Sequence, residues 1–125
     1  MRYLSVEEIL LIHEFQIQKF EGSDGILNLG LLESAVYRPK TAFDSVEKYK
    51  TVFEKAASLA YSLIKNHAFV DGNKRTSMVS AIVFLELNGC EVRIIDEELV
   101  KLAMDIASSK ISIKEVAKFY EDRIL

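Results

Sequence analysis

From Thr51 to Asn88 the chain reads TVFEKAASLAYSLIKNHAFVDGNKRTSMVSAIVFLELN. Apolar residues recur at helical spacing from Thr51 to about Asn66, and the many alanines there allow a neighbouring helix to approach closely. A second long helix is predicted from Asn73 to Asn88. Four of its apolar residues are expected to face inward: Val79, Ile82, Val83 and Leu87. The stretch therefore predicts two long helices joined by a short junction at the centre of the fold.

Helix-start signals organise the rest of the chain. A Ser or Thr followed three residues later by Glu, in which each side chain caps the other's backbone amide, occurs at Ser5/Glu8, Thr51/Glu54 and Ser112/Glu115. The remaining helices are predicted from Ser5 to near Glu21, from Leu29 to Tyr37, from a cap at Asp96 to about Ser108, and after Ser112. Lys40 to Lys50 is expected to be an exposed connection. The pattern predicts one all-α domain of about six helices over residues 1–125.

Composition narrows the class of protein. A chain of 125 residues with 50% hydrophobic residues and a net charge of −3 suits one folded domain and excludes a disordered chain. Cys90 is the single cysteine, and only two histidines are present, so neither an internal disulfide nor a structural zinc site is expected. The acidic balance argues against general nucleic-acid binding, and no apolar run approaches the ~20 residues of a membrane span. We expect a cytoplasmic protein.

The junction from His67 to Thr76 carries the chemistry. It combines a titratable imidazole at His67 with a carboxylate at Asp71 and a glycine at Gly72, followed by Asn73, Lys74 and Arg75. The free amides at the start of a helix bind anions, and a glycine lets a phosphate approach the backbone. Mg²⁺ prefers one or two carboxylates with phosphate oxygens and water, and a histidine can accept a proton from an attacking hydroxyl. These are the groups that phosphoryl or nucleotidyl transfer requires.

Each of these residues also has a plainer interpretation. His67 can be a helix-terminal histidine that interacts with the preceding carbonyls. Asp71-Gly72 can be an ordinary turn, and Lys74 and Arg75 can be a solvated helix surface. His13, on the apolar face of the first helix, is interpreted as a core or hydrogen-bonding residue rather than a catalytic one.

The junction resembles the signature of the Fic/Doc family, His-Pro-Phe-x-Asp/Glu-Gly-Asn-x-x-Arg, and most closely its Doc (death-on-curing) toxin branch. Flanking stretches resemble Doc-type sequences as well: Ile9–Phe20, Leu29–Ala35, Phe53–Ala57 and Phe84–Gly89. The resemblance implies a single helical Fic/Doc domain.

The resemblance also implies roles for the junction residues. His67 would be the general base toward a target hydroxyl, and Asp71 would bind Mg²⁺. Gly72 and Asn73 would build the anion hole, while Lys74 and Arg75 would contact the phosphates of ATP. Phe69 would pack into the core and hold the loop.

Two positions depart from the general Fic pattern. Ala68 replaces the usual proline, which is expected to loosen the loop but leaves every reactive group in place. Lys74 replaces the second glycine of Gly-Asn-Gly-Arg. A long cation there should obstruct the phosphate placement of AMP-transferring Fic enzymes, and it is the hallmark of Doc. The resemblance therefore favours kinase over adenylyltransferase chemistry.

The expected function is that of a toxin in a toxin–antitoxin system. As a Doc-type kinase it would pass the γ-phosphate of ATP, with Mg²⁺, to a threonine of a translation factor such as elongation factor Tu and so inhibit translation. Its restraint would come from a Phd-type antitoxin, because the self-inhibitory Ser/Thr-x-x-x-Glu-Gly/Asn motif is absent: Ile17 lies four residues before Glu21. A Fic-type adenylyltransferase and a non-catalytic, antitoxin-binding co-regulator are the alternatives.

Overall fold

The structure is a computed structural model that describes residues 1–125. It contains six α-helices, a short 3₁₀ turn at Arg38–Lys40 and a two-stranded antiparallel hairpin. The helices are α1 (Val6–Phe20), α2 (Leu29–Tyr37), α3 (Val52–Asn66), α4 (Asn73–Leu87), α5 (Asp96–Ala107) and α6 (Ile113–Glu121). The hairpin strands are β1 (Ala42–Phe43) and β2 (Val46–Glu47). This confirms the predicted all-α architecture with six helices.

Capping residues fix where the helices begin. Ser5 and Ser112 each accept a hydrogen bond from the backbone amide three residues later, and the Glu at that position accepts one from the cap residue's own amide. Thr51 accepts from the amide of Glu54 in the same way. At α5 the prediction was off by one residue, because the cap position is Ile95 and Asp96 is the first helical residue. Acidic side chains in that first turn stabilise the helix by interacting with the positive end of its dipole.

One hydrophobic core joins all six helices, with α3 at its centre. α3 contacts α2, α4, α5 and α6, and nearly all of its inner residues are fully buried. Small residues dominate its buried surface, among them Ala56, Ala57 and Ala60. They let α4 pack closely along α3, which holds the two sides of the central junction together.

The predicted inward face of α4 is wrong. Leu87 is 45% exposed, and Val79, Ile82 and Val83 are half-buried. The buried face consists instead of small polar and larger apolar residues: Asn73, Thr76, Ser77, Met78, Ser80, Ala81, Phe84 and Leu85. Serine and threonine fit between closely packed helices, where Ser77 Oγ donates to the main-chain oxygen of Ala60 at 2.7 Å.

The segment from Lys40 to Lys50 is exposed along most of its length, as predicted, and it also contains regular structure that the sequence did not predict. It contains the β1–β2 hairpin, and its end is anchored by Tyr49, which is buried. The ammonium of Lys55, on α3, reaches this segment from the core. None of the helices has both the length and the apolar character that a membrane span requires.

Candidate active site

The junction between α3 and α4 is bounded by two residues in the left-handed backbone region. His67 ends α3 with a φ of 46°, and Gly72 precedes α4 with a φ of 78°. Gly72 is required there for two reasons, since a side chain is strained at that φ and a Cβ would lie 3.1 Å from Cδ1 of Ile17. The two turns bring the end of α3 and the start of α4 to the same side of the junction.

A strap formed by Gly25–Asn28 holds the junction from outside. The amide of Val70 donates to Gly25 O at 3.0 Å, and the amides of Leu27 and Asn28 donate to Ala68 O at 2.7 and 3.2 Å. Ala68 is itself buried. Pairing with the strap therefore supplies the support that a proline at position 68 would give through its ring.

Phe69 and Asn73 anchor the junction from inside. Phe69 is buried in the core, as the resemblance implied. The Asn73 side chain accepts a hydrogen bond from the amide of Phe69 at 3.1 Å and donates to its carbonyl oxygen at 2.9 Å. The side chain is thus held at both its oxygen and its nitrogen, while the backbone N–H of Asn73, at the open end of α4, remains available for the predicted anion hole.

Asp71 presents an ionised carboxylate to solvent. Oδ2 accepts from the amide of Ser23 at 3.1 Å, and Oδ1 accepts from the amide of Gly72 at 2.8 Å. The hydrogen bond from Ser23 and then the one from Gly72 lower the pKa of Asp71 below its usual value, with a smaller contribution from Arg75. Each oxygen keeps further lone-pair capacity, so the carboxylate can still bind a cation.

The positive groups lie at the start of α4. The first helical hydrogen bond runs from the amide of Thr76 to Gly72 O at 2.9 Å, which leaves the amides of Asn73, Lys74 and Arg75 without helical partners. Lys74 and Arg75 are exposed, and neither takes part in an ion pair. The guanidinium of Arg75 lies 4.0 Å from the centre of the Phe20 ring. This end of α4 has the features of an anion site.

One groove of about 940 Å³ contains all six predicted site residues: His67, Asp71, Gly72, Asn73, Lys74 and Arg75. The imidazole of His67 is exposed and makes no hydrogen bond within the chain. It is therefore free to meet a hydroxyl group. The opposite wall of the groove is apolar and is contributed by α5, chiefly by Leu99, Val100, Ala103 and Met104.

A sequence profile of the Fic/DOC family matches residues 3–85, which include the whole junction. The chain belongs to this family. It is 40% identical over 90 residues to "Toxin Doc" of Mycolicibacterium smegmatis, across 72% of this chain and 67% of the relative. It is 33% identical over 118 residues to "Protein kinase doc" of Escherichia phage P1, across 94% of this chain and 91% of the relative.

These similarities confirm the expected Doc branch of the Fic/Doc family. They support a toxin with phosphotransferase activity of the kinase type. The helical fold agrees, and the family match covers the residues from α1 to most of α4 that surround the groove.

Two residues that hold the Fic/Doc junction were missed as site residues. Ser23 supplies the amide to Asp71 from 48 positions away. The imidazole of His13 lies 2.8 Å from the main-chain oxygen of Asp71 through Nε2, and it stacks on Phe69. His13 was correctly predicted to be buried and hydrogen-bonded, but its sequence position gave no sign of which loop it contacts. Lys19, Phe20 and Lys65 also line the groove.

Proposed function

We propose that this protein is a Doc-type toxin kinase, which transfers the γ-phosphate of ATP to a threonine hydroxyl of a translation factor such as elongation factor Tu. One observation carries the proposal. A free imidazole, an ionised carboxylate and the cationic start of a helix face the same groove. If the purified protein transfers no γ-phosphate from ATP to the target, the proposal is wrong.

The residues of the groove fit Mg²⁺ and a nucleotide. The Asp71 carboxylate is accessible, ionised and fixed in orientation by two amides. No cluster of three or more His, Cys, Asp or Glu side chains surrounds it, so Mg²⁺ would be shared between Asp71, phosphate oxygens and water. Bound there, the ion would neutralise phosphate charge. The amides of Asn73, Lys74 and Arg75 would hold a phosphate group at the helix start.

His67 would act as the general base. Its imidazole would take the proton from the threonine hydroxyl, whose oxygen forms a bond to the γ-phosphorus while the bond from that phosphorus to the bridging oxygen of ADP breaks. Lys74 and Arg75 would stabilise the charge on the phosphoryl oxygens and on the departing ADP. The products are a phosphothreonine and ADP, and the proton remains on His67 until solvent removes it.

Lys74 favours kinase over adenylyltransferase chemistry. It follows Asn73 at the open end of α4 and is exposed. A long cation at this position occupies space that a glycine would leave to phosphate, so the nucleotide would present its γ-phosphate rather than its α-phosphate to His67. Transfer of AMP is the outcome that would favour the second candidate.

We also propose that a Phd-type antitoxin restrains the toxin by covering the groove. Val100 and Met104 on α5 are 60% and 59% exposed beside the site residues. An apolar helix segment of a partner would bury these two side chains and, at the same time, block access to His67. A single domain over residues 1–125 in the cytoplasm, next to ribosomes and elongation factors, fits this role.

Labelled ATP tests the chemistry directly. Purified protein is incubated with Mg²⁺, elongation factor Tu and ATP that carries the label on either its γ- or its α-phosphate. Label transferred only from the γ-phosphate supports the kinase, whereas transfer from the α-phosphate supports adenylyltransfer. His67→Ala should abolish transfer, and Lys114→Ala, which changes an exposed lysine on α6, should leave it unchanged.

Growth inhibition separates enzyme from binding module. Induced wild-type protein should stop growth, and co-expression of the cognate antitoxin should restore it. His67→Ala should be non-toxic while still binding the antitoxin. If His67→Ala inhibits growth fully, the non-catalytic alternative replaces the kinase.

A further inference from the structure

His13 supports the junction from the interior and does not line the groove. It lies on α1, is only 3% exposed, and stacks flat on Phe69 with ring centres 3.7 Å apart and an interplanar angle of 8°. Its Nε2 is 2.8 Å from the main-chain oxygen of Asp71, 58 positions along the chain. A buried histidine therefore joins the first helix to the residue that carries the site carboxylate.

The contact assigns the proton of the imidazole. A carbonyl oxygen can only accept a hydrogen bond, so Nε2 of His13 must carry the hydrogen that it donates to Asp71. The other nitrogen, Nδ1, lies 4.0 Å from Oδ1 of Asp24, which is longer than a hydrogen bond. The contact with the junction thus requires a proton on Nε2.

The hydrogen bond fixes one particular peptide group. The oxygen of the Asp71–Gly72 peptide accepts from His13, and its N–H donates to Oδ1 of Asp71 at 2.8 Å. Because a peptide group is planar, holding its oxygen also sets the direction of its N–H. The same peptide leads into the amides of Asn73, Lys74 and Arg75 at the open end of α4.

His13 fits this place closely. A Cβ added at Gly72 would lie 3.7 Å from Nε2 of His13, an ordinary van der Waals distance, so the imidazole lies close beside the left-handed Gly72. A shorter side chain at position 13 could not reach the Asp71 oxygen, and an apolar one would leave that oxygen without a donor in a partly buried setting.

We infer that His13 is a positioning residue for the proposed nucleotide site. Its Nε2–H orients the Asp71–Gly72 peptide and thereby both the Asp71 carboxylate and the anion-binding start of α4. His13 acts through these groups and does not touch substrate, because it is buried and is not among the residues that line the groove. The inference rests on the proposed function, because that function makes the start of α4 a nucleotide site. The hydrogen bond itself can be tested without catalysis.

Two variants separate the hydrogen bond from simple packing. His13→Gln keeps an N–H donor, and His13→Leu keeps bulk but removes the donor. ADP with Mg²⁺ is the probe, and its affinity is measured by calorimetry. His13→Leu should weaken binding about tenfold, in line with the loss of one hydrogen bond at a positioned site, and His13→Gln should recover most of that loss. In the kinase assay, the KM for ATP should rise in the same order.

Ile9→Ala is the matched control, because Ile9 is fully buried on the same helix and lies in the core. It should destabilise the protein but leave ADP affinity unchanged. If Ile9→Ala and His13→Leu weaken ADP binding equally at equal loss of stability, the role of His13 is only structural and the inference is wrong.

Nuclear magnetic resonance gives a readout that needs no ligand. The imidazole nitrogens of His13 should show the proton on Nε2, and the backbone amide signals of Gly72 and Lys74 should shift in His13→Leu and return toward wild type in His13→Gln. Unshifted amides would overturn the inference. A wild type that binds ADP but transfers no phosphate removes the kinase proposal alone. If wild type binds no nucleotide, the proposed function fails, and the amide shifts decide the role of His13.

Discussion

The Asn73 side chain and the Phe69 main chain form a closed pair of hydrogen bonds, with Phe69 N–H donating to Oδ1 at 3.1 Å and Nδ2 donating to Phe69 O at 2.9 Å. The pair spans the junction from its core anchor to the first residue of α4. It closes residues 69–73 into one unit that holds Asp71 within it, and His67 lies two residues before the start of this unit.

Asn73→Ala should therefore destabilise the protein and inactivate the site. Both Phe69 groups would lose their partner in a buried setting, at a cost of about 1–3 kcal/mol. Urea denaturation measures the change in the free energy of unfolding. Ser62→Ala is the control, since the buried Ser62 hydroxyl has no hydrogen-bond partner and its removal should cost little. Equal effects of the two substitutions would contradict the role of the Asn73 pair.

Gly22→Ala should displace the Asp71 carboxylate. A Cβ at position 22 would lie 2.7 Å from Oδ2 of Asp71 and 3.0 Å from Cδ1 of Ile17. The carboxylate must move away from the Ser23 amide, so Mg²⁺-dependent ATP binding and transfer should fall strongly. Gly89→Ala provides the comparison, because it has open space but a left-handed φ of 81°. It should cost about 1 kcal/mol of stability with normal activity.

Phe20 should hold Arg75 in place for phosphate binding. The guanidinium lies 4.0 Å from the ring centre, a contact worth about 0.5–1 kcal/mol at an exposed site. Phe20→Leu should raise the KM for ATP about two- to fivefold, the change that this energy corresponds to, and Phe20→Tyr should retain wild-type affinity. Phe15→Leu, which alters an exposed aromatic residue on α1 outside the groove, is the control. An unchanged KM in Phe20→Leu would refute the contact's role.

The pKa of Asp71 predicts how the site responds to acid. The Ser23 and Gly72 amides lower it, so the carboxylate should stay ionised as the pH falls through the usual range near ~3.9. A carboxyl whose pKa is lower in the folded state than in the unfolded state stabilises the folded protein at any pH above its unfolded-state pKa. That contribution disappears as the pH falls through the folded-state pKa. Carbon-detected titration of the Asp71 carboxyl should give a midpoint below the ordinary one, and Gly22→Ala should raise it. A midpoint at or above the ordinary value would contradict the two hydrogen bonds.

Lys55 should control the order of the β1–β2 hairpin. Its ammonium is buried and donates to Tyr49 O at 2.6 Å, to Oε1 of Glu47 at 3.1 Å and to Pro39 O at 3.4 Å. Lys55→Met should cost about 2 kcal/mol, because the carbonyl oxygens lose their donor. Limited proteolysis should then cut the hairpin faster.

The exposed Lys48 offers the matched change, and Lys48→Met should stay within about 0.5 kcal/mol of wild type. If Lys55→Met leaves the proteolysis rate unchanged, the lysine does not hold the hairpin.

Much of the fold could be predicted from local sequence signals. Ser5, Thr51 and Ser112 correctly predicted three helix starts, and the second helix ends at Tyr37 as predicted. The buried face of α4 could not be read from hydrophobic periodicity, because Ser77 and Ser80 lie between closely packed helices. Periodicity detects apolar burial and is blind to small polar residues in such an interface.

The candidate site also has a part that could be predicted from the sequence and a part that could not. Residues 67–75 could be predicted to meet because they are neighbours in the chain, and the groove brings them together. The contacts of His13 and Ser23 with Asp71 span 58 and 48 positions, respectively. No local pattern encodes such contacts, since they depend on how α1 and the loop after it pack against the junction.

Amide hydrogen exchange in the strap should report whether the junction beside it is closed or open. The amides of Leu27 and Asn28 both donate to Ala68 O, about forty positions away in the chain. Their hydrogen–deuterium exchange should be slow while the strap is paired with the junction and should become faster whenever this pairing opens. The exchange rate of the strap therefore reports how often the junction that carries His67 and Asp71 is open, and the measurement needs no substrate, target or antitoxin.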